Sequence, residues 1–471
     1  MRRTTWGIAT AGLAAALMAG TASAQETSAQ ELEKMRAQLA QLQRQVETLR
    51  GRVNEQERRP LYAPIKAKAP KDPIMVMTSG NRPGICSPDK FNCIYITGRL
   101  HLDFGGYDWR PSAALPAGDQ NAHNGVNARR MRIGLTGTFM RDWNWTLVGE
   151  FGGSEDITGN AQINNAFITY KGFGKTWIEA GYMDVPYTLD EQLGSNNILF
   201  MERATPQVLA VDIAAGDNRS AFGFRTFGKS HWFGSYLTGP AIGQDHDERV
   251  SVGLTARGVF VPVRNDDFTW LVEGDYLRLI TPAVSDQLRM RDRPEVRIDP
   301  GLRILDTGVL ANVESADVLS GGTAFAYRNL YFQGEYFNYN LQRTVGGDLS
   351  FNGGYVQAAY TLTGEARRYS ESNGAFGGIN PKRPFLMGSD GWGAWELALR
   401  YSHADLNDTD VAAPVRGGVQ RNVTAGINWY PNQNIRFMFN WIHGEVEKFD
   451  AVGTNLSADY DVFAGRMQLA F

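Results

Sequence analysis

The stretch Ala458 to Phe471, ADYDVFAGRMQLAF, reads with a period of two. Every second residue back from the end is Phe471, Leu469, Met467, Gly465 and Phe463, and the interleaved set is Ala470, Gln468, Arg466, Ala464 and Val462. Side chains alternate between the two faces of a strand, so this segment is a strand with one greasy face and one wetter face. The last strand of a soluble β-sandwich would satisfy that pattern. So would a strand that crosses a bilayer in a β-barrel with its apolar face outward, and the rest of the chain decides between them.

Outward from this stretch the same pattern recurs. Ile94 to Phe104 sets Ile94, Ile96, Gly98, Leu100, Leu102 and Phe104 against Tyr95, Thr97, Arg99, His101 and Asp103. In 127–139, Met131, Ile133, Leu135 and Phe139 oppose Arg130, Arg132, Thr136 and Thr138, and in 143–152 Trp143, Trp145 and Leu147 oppose Asn144, Thr146 and Glu150. Further strands are expected at 161–171, 175–183, 219–228, 231–239, 249–261, 267–280, 320–328, 330–341, 352–362, 392–403, 419–430, 434–446 and 459–471, sixteen in all. The run NLYFQG at 329–334 looks like part of an engineered protease site, but Arg328 precedes it and its alternation continues through Glu335 and Phe337, so it reads as strand.

The connections give a separate test. Even-to-odd ones are tight (Arg141 and Asp142, Gly172 to Gly174, Lys229 and Ser230, Arg264 to Asp266, Asn329, Pro431 to Gln433), whereas 105–126, 184–218, 281–319 and 404–418 are long. Outer-membrane barrels alternate short periplasmic turns with longer outer loops in this way. The connection 363–391 breaks the parity, and a segment that long on the short side either contains a misplaced strand or folds into the lumen. The fold class expected is all-β: a 16-stranded antiparallel transmembrane β-barrel over 94–471, preceded by an α-helical coiled coil.

Composition agrees with a barrel. The 471 residues include 52 Gly and 11% aromatics with only 43% hydrophobic residues, and no later stretch approaches the ~18 consecutive apolar residues of a membrane helix. Residues 1–24 read as a signal peptide: Arg2 and Arg3, an apolar run from Ile8 to Met18, then Ala22, Ser23 and Ala24 at the cleavage site. Its removal leaves 45 basic and 50 acidic side chains, a net charge of about −5, too mild to imply nucleic acid. Within 25–59, Leu32, Met35, Leu39, Leu42, Val46, Leu49 and Val53 keep a 3,4 spacing, the seam of a periplasmic coiled coil; a charged spacer helix is the alternative. Residues 60–93 form a Pro-rich linker that ends in Cys86 and Cys93, expected to close a small disulfide loop, since no His cluster stands beside them to make a metal site.

Sixteen strands enclose a channel, so inward side chains read as its wall. Arg99, Arg132, Arg225, Arg257, Arg400, Arg436 and Arg466 face inward, and so do Asp103, Glu150, Glu179, Glu273, Asp275, Glu335 and Glu396. The segment 289–303 adds Arg289, Arg291, Arg293, Arg297 and Arg303; lining the mouth, it favours anions, and as a solvated outer loop it does nothing for selectivity. The loop 184–218 is the candidate constriction, with Asp190, Glu191, Glu202 and Arg203 foremost among its charges.

The segments GWGAWELALRYSHADL (391–406), QRNVTAGINWYPNQNIRFMFNWIHGEVEKF (420–449) and DYDVFAGRMQLAF (459–471), with RDRPEVRI (291–298) and FQGEYF (332–337), resemble the phosphate-selective porin O/P family over about residues 90–471. The resemblance implies a trimeric sixteen-stranded barrel that passes anions, with loops folded into the lumen. One of these is a periplasmic connection, which accounts for 363–391 and its basic Arg367, Arg368, Lys382 and Arg383. Carboxylates among the inward arginines, and few inward lysines, depart from the family's dense ladder.

The function expected is passive diffusion of small hydrophilic solutes, anions preferred, across a Gram-negative outer membrane. The alternative is a general, weakly selective porin that doubles as a structural tether, its coiled coil contacting the cell wall. Expected partners are outer-membrane lipid, lipopolysaccharide and two further copies of the chain, with no nucleic acid, cofactor or metal. A barrel enzyme would need a Ser or Asp with a positioned His at the rim, but the six His are scattered, and the adjacent Ser402 and His403 face opposite ways.

Overall fold

The computed structural model describes residues 37–48, 74–77, 82–152, 161–215, 218–242, 250–282, 286–385 and 390–471. The chain divides into two units, Met1–Ala69 and Pro70–Phe471. In the first, a helix spans 37–48 with Leu39, Leu42 and Val46 exposed; the rest of the expected coiled coil, the signal peptide at 1–24 and most of the linker lie outside the described residues.

In the second unit sixteen antiparallel strands follow one another around a closed sheet. They are β1 Cys93–Pro111, β2 Gly125–Phe139, β3 Trp143–Glu150, β4 Gln162–Phe173, β5 Thr176–Met183, β6 Arg219–Phe227, β7 His231–Thr238 and β8 Val252–Arg264. The second half comprises β9 Phe268–Thr281, β10 Val313–Tyr327, β11 Leu330–Arg343, β12 Leu349–Thr361, β13 Ala394–Asp408, β14 Val415–Tyr430, β15 Ile435–Glu447 and β16 Ala458–Ala470. All sixteen expected strands are present. Pairing of β16 with β1, from Ala458 opposite Pro111 to Ala470 opposite Arg99, closes the barrel. The linker is not wholly irregular: Ile74–Met77 pairs with Pro83–Cys86, which pairs with the start of β1, and the Cys86–Cys93 disulfide joins directly opposed residues.

The two faces follow the alternation. On β16, Phe463, Met467 and Leu469 are exposed while Tyr460, Val462, Arg466 and Gln468 are buried inside. At the tight-turn end, Trp143, Tyr170 and Phe173 form one aromatic group and Trp395, Trp429 and Phe437 another, the girdle that amphipathic rings build at a membrane interface.

The interior differs from a hollow channel. Loop 184–218 enters the barrel, and its helix Thr205–Ala214 buries Leu209, Val211 and Ile213 in one cluster with Phe337, Tyr339, Leu341 and Phe351 of β11 and β12. Gly353 allows this approach, since a Cβ there would lie 3.0 Å from Pro206. The segment between β9 and β10 also enters, burying Val296, Ile298, Leu302 and Ile304; a Cβ on Gly105 would collide with Ile298. From the opposite end the connection between β12 and β13 folds inward, where Phe376 packs on Tyr331 and Tyr369. No strand is misplaced there: the parity breaks because the segment is a plug.

Candidate functional site

The inner wall at β1 and β2 carries a cluster of arginines: Arg99, Arg129, Arg130 and Arg132. His101 pairs with Arg130, and Asp103 with Asn127, so β2 holds one extra residue between the two pairs. That bulge re-aims neighbouring side chains, and both Arg129 and Arg130 are buried. Arg129 donates from Nε (2.8 Å) and Nη2 (3.0 Å) to the two oxygens of Glu202 on the inward loop. Arg130, Arg297 and Arg466 approach the same carboxylate at 3.7, 3.8 and 2.9 Å. Burial alone would raise the Glu202 carboxyl, but Arg129, Arg130, Arg466 and Arg297 outweigh it and hold the group well below the usual range.

Beside this cluster is a cavity of about 60 Å³ lined by Arg99, Arg130, Arg132 and Arg203 with Asp184, Glu191 and Ser195. Arg99 donates to Ser195 Oγ, Arg132 to Glu150, and Arg203 pairs with Glu191 at 3.0 Å. Arg130 differs from these three. Its Nε and Nη1 are buried and have no hydrogen-bond partner. The cavity therefore offers charged donors to an anion, in a space of about two water volumes.

The inward loop is pinned largely through its own carbonyls. Arg436 donates to the carbonyls of Ile198 (2.7 Å) and Leu199 (3.1 Å), Arg400 to that of Glu202 (3.0 Å), Asn428 to that of Leu199 (3.0 Å) and Tyr339 to that of Pro206 (2.6 Å). Glu335 accepts from the N–H groups of Leu189 (2.8 Å) and Asp190 (3.1 Å). Asp190 is buried, which pushes its carboxyl above the ordinary range against the pull of Arg203 and Arg400.

The other expected wall residues are distributed as follows. Arg257, Arg400, Arg436 and Arg466 are almost fully buried and donate to loops and carboxylates, although Arg436 also borders a cavity with Arg82 and Gln468. Arg400 pairs with Glu295 at 2.5 Å and Arg257 with Glu273 at 2.8 Å. Arg367, on the plug, holds Glu396 at 2.9 Å and donates to the carbonyl of Asn197 at 2.8 Å. Arg257 donates to the plug carbonyls of Asn373 (2.9 Å) and Gly374 (2.7 Å), and Arg225, paired with Glu179, donates to that of Ser372 (3.2 Å). Arg293 is buried, its Nε donating to the carbonyl of Pro300 at 2.7 Å. Arg291 is half-buried on a two-residue strand paired with Leu305–Asp306. Arg368, Lys382 and Arg383 are exposed on the plug, where Lys382 donates to the carbonyl of Gly364 at 2.6 Å.

Of the candidates, the structure brings Arg99, Arg132, Glu191 and Arg203 around one cavity and Glu202, Arg297 and Arg466 into the adjoining cluster. Arg129 and Arg130 were not among the candidates. Alternation places Arg130 on the inward face with Arg132, whereas Arg129 is turned inward by the bulge, which only the register shows.

The profile of the family described as phosphate-selective porin O and P matches residues 94–471. Porin O of Pseudomonas aeruginosa is 24% identical over 423 residues, covering 84% of this chain and 92% of that protein. A protein of Caulobacter vibrioides is 28% identical over 393 residues, 80% of this chain and 73% of its own length. Among solved structures, in-vitro folded OmpT of Vibrio cholerae has a TM-score of 0.50 at 10% identity, covering 81% of this chain and 98% of its own. OprB of Pseudomonas putida, also with a TM-score of 0.50, is 9% identical and covers 80% and 94%. These two show the barrel fold alone.

Proposed function

The chain belongs to the phosphate-selective porin O and P family and is an outer-membrane porin, and from that premise we propose that Arg99, Arg130, Arg132 and Arg203 form its anion-recognition wall, selecting phosphate-like oxyanions among small solutes. The observation that carries this is the buried Arg130 in the cavity lining: its Nε and Nη1 make no hydrogen bond, and Nη1 stands only at ion-pair distance, 3.7 Å, from Glu202. A buried charged donor without a partner costs more than the ~1–3 kcal/mol of a neutral one, and an oxyanion removes that cost by accepting both bonds. Bilayer recordings of the purified protein under a KCl gradient test it. Chloride-selective reversal potentials and chloride current blocked by added phosphate are expected in the wild type. Selectivity and block that persist unchanged in Arg130→Ala would sink the assignment.

A second reading, a general porin of weak selectivity, is favoured by the pairing of most inward arginines with carboxylates. Reversal potentials near zero with no phosphate block would select it.

We read the assembly as a homotrimer. An apolar groove on the outer face of β13 to β16 and β1, lined by Phe104, Leu397, Ile427, Phe439, Trp441 and Phe463, offers a contact between barrels, and the exposed Leu39, Leu42 and Val46 offer a coiled-coil seam. Lipid and lipopolysaccharide surround the remainder, and the coiled coil reaches toward the cell wall. Deleting residues 26–60 separates the roles: lost trimers on a native gel assign the helix to assembly, whereas lost envelope integrity with intact conductance assigns it to tethering.

A further inference from the structure

Opposite residues across three strands bring a second charged group together. Gly322 of β10 pairs with Glu273 on one side and Glu335 on the other, and Asp275 follows two places along β9 on the same face. A Cβ at Gly322 would lie 2.8 Å from Glu335 Cγ and 3.2 Å from Glu273 Oε1, so its absence leaves the space over which the carboxylates converge. All three acids are buried, and one oxygen of each lies within 4.8 Å of the others. Arg257 is the cation beside them, with Nη2 2.8 Å from Glu273 Oε2 and Nε 3.7 Å from Asp275 Oδ1. Three carboxylates against one guanidinium leave two negative charges away from water, a state that persists only with further positive charge.

Two oxygens in the group, Glu273 Oε1 and Asp275 Oδ1, accept no hydrogen bond. An observation from a separate element points the same way. Tyr187, on the inward loop, is fully buried; its hydroxyl makes no well-aligned hydrogen bond and lies next to Ser320, among Asp275, Glu335 and Glu273. Protons shared among the carboxylates would neutralise the charge; a cation would do so and also take the lone pair of that hydroxyl.

We propose that Glu273, Asp275 and Glu335, with the Tyr187 hydroxyl, form a calcium site that fastens loop 184–218 to the barrel wall. The donors are all hard oxygens, which select alkaline-earth over softer metals. Oxygens within 4.8 Å of one another fit an ion that binds at 2.3–2.6 Å, whereas Mg²⁺ needs stricter octahedral geometry and retains several waters. Glu335 also accepts the N–H groups of Leu189 and Asp190, so the ion anchors the loop a few residues before Ser195, Glu202 and Arg203. The expectation of no metal came from the lack of a His cluster beside Cys86 and Cys93, a search to which an all-oxygen site is invisible. This site does not depend on the anion reading.

The test uses full-length protein refolded without lipopolysaccharide and stripped by chelator, with Tb³⁺ as probe through tyrosine-sensitised luminescence. One Tb³⁺ per barrel, displaced by Ca²⁺, is expected, with affinity reduced on the order of tenfold or more in Asp275→Asn and Glu273→Gln, and unchanged in the exposed Glu445→Gln. Gel mobility before and after heating reports whether each variant is folded. In the wild type itself, Ca²⁺ raises the unfolding temperature more than equal Mg²⁺. Absence of Ca²⁺-displaceable Tb³⁺ in the folded wild type, or equal affinity in both site variants, overturns the proposal in favour of a protonated cluster.

Discussion

Arg466 and Asp103 stand directly opposite one another on the two strands that close the barrel, and both are fully buried. Arg466 Nε and Nη2 donate to the two carboxylate oxygens at 2.6 and 2.7 Å, and Nη2 also reaches Glu202 Oε1 at 2.9 Å. Removing one partner leaves an uncompensated buried charge, which costs about 3–5 kcal/mol. Arg466→Ala is expected to lower unfolding stability by that amount in a urea titration followed by gel mobility. A loss below about 1 kcal/mol would mean that the seam does not rely on this pair.

Charge reversal at Arg130 separates recognition from stability. In Arg130→Glu the cavity loses its unpartnered donors and gains a carboxylate beside Glu202, so the reversal potential shifts toward cations while the barrel still forms. Reversal potential and heat-dependent gel migration, measured on the same preparation, check both halves of the statement.

Acidification acts on Asp190 before Glu202. Glu202 has a depressed folded-state value, so its contribution to stability is present above the unfolded value of about 4.3 and is lost as pH falls through the lower folded one. Asp190 has a raised value, so its contribution is present below the unfolded value of about 3.9 and is lost as pH rises through the higher folded one. Lowering the pH from 7 toward the carboxylate range therefore adds a proton at Asp190 first and makes the lumen more positive. Anion preference is expected to rise in reversal-potential measurements, and the part due to Asp190 disappears in Asp190→Asn. Glu202→Gln is expected to destabilise the protein at pH 7, with the difference shrinking only below about pH 4.

The plug between β12 and β13 obstructs the tight-turn end. Replacing residues 366–380 with a short Gly-Ser turn removes the two plug carbonyls that accept from Arg257 and the Ser372 carbonyl that accepts from Arg225, and opens that end. Single-channel conductance is expected to rise by roughly twofold or more, since a wide barrel conducts through whatever cross-section its inserts leave open. Unchanged conductance would place the narrowest point elsewhere, at the loop 184–218.

The strands were legible because alternation is a local property. Phe463, Met467 and Leu469 against Arg466 and Gln468 can be assigned from seven consecutive letters, and each face has one environment. The filling of the barrel was not legible in this way. Leu209, Val211 and Ile213 meet Phe337 and Tyr339 from more than a hundred residues away, and nothing in the loop's own pattern states that partner. The segment 289–303 looked like a basic mouth loop because its arginines stand out. Val296, Ile298 and Leu302, the residues that carry it inside, are few and unspaced. The parity break at 363–391 did carry information, because topology makes length on the wrong side conspicuous. Arg129 shows the opposite failure: strict alternation assigned it outward, and the bulge that turns it inward is visible only in the register.

The donors that Arg400, Arg436 and Arg466 spend on the carbonyls of 198–202 tie two events of biogenesis together. An open sheet still lacking β16 has no Arg466 for Met201 and Glu202, and a closed one with the loop outside leaves the three guanidinium groups to water in the lumen. Either half-finished state forgoes these bonds, so the seated loop and the seam between β16 and β1 hold each other in place, and weakening one loosens the other.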